Sequence, residues 1–147
     1  MLSAETAARG HTAAVALAAV HSAAEIEIAM TTLAREPGCG VIVPPDGFLI
    51  NQSNLIIELA AREKLPAIYG FALFAVQGGL VSYGVTLSEQ VRQVGVYVGR
   101  ILRGEKPADL PVQEPSQYEL VINLKAANAL GHHIPPSVRA SADEVIE

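Results

Sequence analysis

The 147-residue chain is half hydrophobic, 17% charged and carries a formal net charge of −5, which excludes a disordered polar tail and suits one domain with a sizeable core. Mild acidity with singly scattered Lys and Arg argues against nucleic acid or an anionic membrane surface as partner, because both need clustered cations. No apolar run approaches the ~20 residues that span a bilayer, so no membrane insertion is expected.

The opening MLSAETAARGHTAA lacks the basic and then apolar order of a secretory signal. Residues 3–8 are rich in Ala and Glu and predict a short helix closed by Gly10. Residues 15–20 form an apolar run suited to a buried strand, although its alanines also suit a helix. Ser22-Ala23-Ala24-Glu25 is a capping box, in which the Ser hydroxyl takes the amide of Glu25 and the Glu carboxylate reaches back. The helix it opens carries Ile26, Ala29, Met30 and Leu33 on one face and stops before Pro37-Gly38. Val41-Ile42-Val43 is a β-branched strand ended by the turn Pro44-Pro45-Asp46-Gly47. Residues 51–53 can start the next helix, with Leu55, Ile56, Leu59 and Ala60 inward. Residues 66–69 form another strand, which Pro66 can open. A loop with Phe71, Phe74 and Gln77-Gly78-Gly79 follows, and then a strand over residues 80–85.

Thr86-Leu87-Ser88-Glu89 is a second capping box and opens the strongest helix, striped by Val91, Val94, Val98, Ile101 and Leu102 and ended at Gly104. Gly95 and Gly99 each cost this helix about 1 kcal/mol, and their spacing of four places both where a neighbouring backbone can come close. Beyond a proline-rich crossing, residues 118–122 read as a strand, residues 123–130 as a helix stopped by Gly131, and residues 141–147 as a surface tail. Strands alternating with helices imply βαβ units, so residues 1–147 are expected to form a single α/β domain with a mostly parallel open sheet and flanking helices.

Catalytic signatures fail along this chain. Gly38-Cys39-Gly40 precedes its strand and lacks the third glycine of a dinucleotide loop. Gly79 to Ser82 is one residue too long for a nucleophile elbow. Cys39 has no partner for an internal disulfide and reads as a small residue in a connection. His132-His133 point to opposite faces if extended, and His11 and His21 add no ligand spacing. No catalytic residue, metal site or cofactor is expected.

Ligands of open α/β sheets sit beyond the carboxyl ends of the strands. That rule selects Pro44, Asp46 and Phe48 after one strand, and Gly70, Phe71 and Phe74 after another, with His21-Ser22 and Gly84 to Thr86 at further ends. An acid, the amide-bearing Asn51, Gln52 and Ser53, and aromatic rings suit a small polar ligand with an apolar part. The same residues also fit ordinary turn chemistry, with Asp46-Gly47 as a turn and Asn51 or Ser53 as an N-cap. Spacing leaves both readings open.

Several longer words remain: Leu65-Pro66-Ala67-Ile68-Tyr69, Gly78-Gly79-Leu80-Val81-Ser82-Tyr83-Gly84, Gly104-Glu105-Lys106-Pro107-Ala108-Asp109-Leu110-Pro111-Val112 and Glu119-Leu120-Val121-Ile122-Asn123-Leu124-Lys125. With Ala129-Leu130-Gly131, Ile134-Pro135-Pro136-Ser137 and Ala142-Asp143-Glu144-Val145-Ile146-Glu147, in this order, the chain resembles the ABC-transporter substrate-binding proteins of type I periplasmic-binding fold, from about Ala7 onward. The resemblance implies two hinged lobes that close on a small ligand and present it to a membrane permease, with no catalysis. Some members are similar to carriers of aromatic amino acids, so an amino-acid-like ligand is expected. By matching position, the resemblance makes Asp46 and the loop at Phe71 the first contacts, followed by Asn51. Such proteins have roughly twice this length, as two domains of ordinary size do. The chain therefore reads as the second lobe only, of flavodoxin-like order 2-1-3-4-5 with its first central strand missing.

Residues 15–20 would then be strand 2, pairing directly with Val41-Ile42-Val43 unless a second copy covers the exposed surface as a homodimer. The resemblance implies a periplasmic location, whereas the sequence as written, without a leader, implies a cytoplasmic one. The alternative from another class is a flavodoxin-like enzyme or a regulatory or oligomerisation domain with no transport role. An enzyme of that kind would need an acidic cluster or phosphate loop after the first strand, and His21-Ser22 offers neither.

Overall fold

The computed structural model describes Thr6, Ala8 and residues 14–147. The helix expected over residues 3–8 falls almost wholly outside the described residues. Residues 15–20 join no sheet, contrary to the strand expected there, and Leu17 is 68% exposed. Three of those six residues are alanines, which favour strands weakly, and the edge they would have to meet is only three residues long. Val20, at the end of the run, packs against the core.

Helix α1 (Ala23–Leu33) starts as the capping pattern requires: Ser22 Oγ accepts from the Glu25 amide at 3.3 Å. The Glu25 carboxylate reaches back one residue further than expected, to the His21 amide at 2.7 Å. Strand β1 (Val41–Val43) leads into α2 (Gly47–Asn51), α3 (Ser53–Arg62), β2 (Ala67–Tyr69), α4 (Ala72–Val76) and β3 (Val81–Val85). The helical turn of α2 begins several residues before the start expected at residues 51–53, because Asp46 caps it. Segment α4 forms where a loop was expected.

Helix α5 (Leu87–Leu102) follows, but its capping box does not close. Thr86 makes no side-chain cap bond, and Glu89 instead accepts two bonds from the Arg92 guanidinium, at 2.7 and 2.5 Å. A charge-assisted bidentate pair outcompetes a bond to a neutral amide. After a 3₁₀ turn at Pro107–Asp109 come β4 (Tyr118–Asn123), α6 (Leu124–Leu130), α7 (Pro136–Ala140) and β5 (Glu144–Ile146). Asn123 Oδ1 caps α6, and Gly131 ends it at φ +74°. Residues 141–147 are thus not a surface tail. Asp143 anchors them by accepting from the Leu120 amide through its carboxylate and donating its own amide to the Leu120 carbonyl, so β5 zips onto β4.

The sheet runs β1-β2-β3-β4-β5. Strands β1, β2 and β3 are parallel, β4 is antiparallel to β3, and β5 is parallel to β4. The described sheet therefore begins at β1, with no strand 2 beside it. In register, Val43, Tyr69 and Ser82 share one face, and Ile42, Ile68 and Val81 the other. The first face is packed. Ile26 and Met30 of α1, Ile56, Leu59 and Ala60 of α3, and Phe74 of α4 close over Val43, Ala67 and Tyr69 in a single core. On the second face Ile42 is 65% exposed.

Candidate functional site

The carboxyl ends of β1, β2 and β3 meet so closely that glycine is obligatory. A Cβ on Gly70 would lie 2.6 Å from Pro45 Cδ, and one on Gly84 would lie 2.0 Å from the Gly70 carbonyl oxygen. The Gly70 amide donates to the Val43 carbonyl at 2.9 Å and carries the β1–β2 ladder one residue past the strands. This Pro45–Gly70–Gly84 contact sets the β1–α2 loop beside the β2–α4 loop. It brings Asp46 and Phe48 to the same rim as Gly70 and Phe71.

Each residue selected from the sequence has a defined place there. Asp46 is exposed, and its Oδ1 accepts from the amides of Phe48 at 2.8 Å and Leu49 at 3.0 Å, which holds the carboxylate in one orientation at the start of α2. Phe48 and Phe71 are half-buried and pack against the core. Asn51 is exposed at the last position of α2, a turn and a half beyond Asp46. Phe74 is the one that does not reach the rim. It is 1% exposed, with its ring stacked on Tyr69 at 4.7 Å between centroids, and supports the loop from beneath.

Two buried hydroxyls lie directly below the rim on paired positions of β2 and β3, Tyr69 and Ser82, and neither has a hydrogen-bond partner among the described residues. Burial pushes the Tyr69 hydroxyl up to about 12, so it remains a neutral donor across the physiological range. Sequence reading missed both, because period-2 patterning marks an inward position without saying whether its polar atom finds a partner. Gly84, in contrast, carries a legible signal as a lone glycine inside a strand, which often marks close backbone approach.

Two concave surfaces are lined by none of Asp46, Phe48, Gly70 and Phe71. A shallow apolar depression of about 340 Å³ follows the open sheet face along Ile42, Pro66, Ile68 and Val81. A groove of about 290 Å³ runs between α3 and α6, lined by Ile57, Ala61, Tyr69, Asn123 and Lys125 among others. The rim is a wall with oriented polar and aromatic groups rather than an enclosed pocket. Among the described residues, no three His, Cys, Asp or Glu side chains are placed to hold a metal ion together.

Comparison with known proteins gives this arrangement its context. A crystal structure of an ABC domain in complex with L-Trp from Streptococcus pneumoniae shares 29% identity and a TM-score of 0.86, covering 97% of this chain and 49% of that one. A conserved domain protein from Vibrio cholerae matches at 27% identity and a TM-score of 0.86, over 96% of this chain and 47% of that one. The ligand-free, open substrate-binding protein CD0873 of Clostridium difficile, at 19% identity and a TM-score of 0.64, shares the fold. An uncharacterized protein of Rickettsia prowazekii is 28% identical over 89 residues, which are 58% of this chain and 28% of that protein. The chain thus spans about half the length of the solved structures it matches. The family model for ABC transporter substrate-binding proteins matches residues 3–146, and the sheet has the fold of these neighbours: the chain belongs to that family.

Proposed function

We propose that this chain forms one wall of the solute site in the binding component of an ABC importer, and that the solute is an amino acid with an aromatic or branched side chain. The observation that carries this reading is the match along residues 3–146 to a substrate-binding family, joined to a neighbour of 29% identity whose structure holds L-Trp. The rim supplies suitable chemistry. Phe48 and Phe71 offer ring faces for an apolar side chain, while Asp46, Asn51 and the backbone at Gly70 can orient an ammonium group. Phe74 fixes the Phe71 loop from the core. An exposed carboxylate already held by two amides costs little further entropy to use.

The two-lobed cleft implied by the family closes because its ligand touches both walls. One wall alone supplies about half the contacts, so affinity should be weak. The ligand would be collected outside the cytoplasmic membrane and delivered to a permease of the same importer.

Isothermal calorimetry of the chain with L-Trp, L-Phe and L-Leu tests the reading. Weak binding that disappears in Phe71→Ala is expected. Absence of heat at millimolar L-Trp, with the fold intact by circular dichroism, would sink it for this chain.

A further inference from the structure

The ring of Tyr69 reaches from the rim to a different part of the molecule. Its backbone closes β2 beside Gly70, but its outer edge lies against Gly78-Gly79, the turn between α4 and β3. Gly78 adopts φ +115°, and a Cβ on Gly79 would stand 2.5 Å from Tyr69 Cε2 and 3.1 Å from Cδ2. Only a glycine turn admits the ring there. Tyr69, Gly78 and Gly79 all line the groove between α3 and α6. Cε2, the carbon next to the one that bears the hydroxyl, is the nearer to Gly79, so the hydroxyl end of the ring belongs to the groove floor.

The chemistry of this groove is one-sided. Its walls are apolar, with Ile57 and Ala61 on α3 and Ala129 and Leu130 on α6, and no Asp or Glu lines it. Of its polar side chains Asn123 is already committed: its amide group donates to the Ala75 carbonyl and its oxygen accepts from the Ala126 amide, at 3.0 Å each. Two donors remain. The Tyr69 hydroxyl belongs to a residue only 1% exposed and has no partner among the described residues. Lys125 is exposed on α6 and makes no ion pair among the described residues. A buried donor without an acceptor costs stability, and where it persists beside a free cation an acceptor from outside the chain explains it.

We propose that the α3–α6 groove is a second ligand site, separate from the rim, for a small monocarboxylate with an apolar body. The carboxylate accepts from the Tyr69 hydroxyl and from the flexible Lys125 ammonium, and the body lies between Ile57 and Leu130. Hydrogen bonds to an ionised acceptor are the strong ones. The groove, of about 290 Å³, sits at the small end of the ~300–1,000 Å³ range of ligand pockets, which suits a single ring or a short branched chain. An amino acid is disfavoured here, because its ammonium group would meet no carboxylate in the lining. The rim, which has Asp46, and the groove, which has Lys125, therefore select different chemical classes.

Amide chemical shifts of the isotope-labelled chain, titrated with benzoate and with benzylamine, test this site. Benzoate should move Gly79, Leu80 and Ala126 saturably at millimolar concentration, and benzylamine should not. Tyr69→Phe keeps the ring and should weaken benzoate about tenfold, and Lys125→Gln should weaken it severalfold. Phe71→Ala, which probes amino-acid binding at the rim, should leave benzoate binding unchanged. The absence of a saturable shift at tens of millimolar benzoate overturns the proposal, as does an equal response to benzylamine. An affinity untouched by Tyr69→Phe, with the far-ultraviolet circular dichroism intact, also overturns it. So does benzoate binding lost in Phe71→Ala but kept in Tyr69→Phe, which would assign the ligand to the rim.

Discussion

Replacing Tyr69 with Phe removes one oxygen from the most enclosed part of the core and leaves the ring stacked on Phe74. The hydroxyl is buried without a partner. A group in that state forfeits its hydration, a loss of ~1–3 kcal/mol. Tyr69→Phe should therefore raise stability by about 1 kcal/mol at neutral pH, or ~2–4 °C in Tm for a chain of this size.

A second signature follows from protonation. The folded group titrates at about 12, and the unfolded one near ~10. Between those values the native state holds the proton that the unfolded state has lost. The contribution is complete below pH ~10 and is lost as pH rises through about 12, amounting to ~2–3 kcal/mol in all. Urea unfolding of parent and variant at one protein concentration, at pH 7 and through the alkaline range, measures both effects. The variant should start higher and fall less steeply above pH ~10. A variant less stable than the parent at pH 7 would show that the hydroxyl is satisfied, by a trapped water for instance, and would refute the reasoning.

Three further substitutions test close packing, helix propensity and capping. Gly84→Ala forces a methyl onto the Gly70 carbonyl at 2.0 Å, where neither backbone can yield, and should cost at least the ~3 kcal/mol at the top of the overpacking range in urea unfolding. Gly99→Ala, which meets only the tip of Arg103 at 3.9 Å, should gain about 1 kcal/mol in the same assay. Asn123→Ala strips partners from the Ala75 carbonyl and the Ala126 amide, which the side chain now satisfies at 3.0 Å each. A loss of about 2 kcal/mol is expected, with early hydrogen exchange at Ala126 as the local readout.

Where a sequence feature acts within a few residues, it was legible. Ser22 caps α1, Gly131 stops α6 in the left-handed region, and β1 to β4 and helix α5 lie within a residue or two of their expected bounds. The family was legible too, because its words are contiguous. Partial exceptions show where local chemistry meets competition. Glu89 turned from the cap to Arg92, and Asp46 drew the start of its helix several residues earlier than the amides of Asn51 and Gln52 suggested.

What depended on distant neighbours waited for the tertiary structure. Residues 15–20 are apolar enough for a strand, yet a strand exists only through its ladder, and no partner pairs with them. Residues 144–146 look like a tail until Asp143 and the edge of β4 recruit them. Phe71 and Phe74 are indistinguishable in sequence, and only the packing of Tyr69 sends one inward and leaves the other at the rim. Helix α5 makes the division plainest. Its amphipathic stripe was determined by residue order alone, because helical periodicity is local. That residues 103–117 return along its polar side, and leave the stripe uncovered by the rest of the described chain, only the tertiary structure shows, because no periodicity encodes that contact.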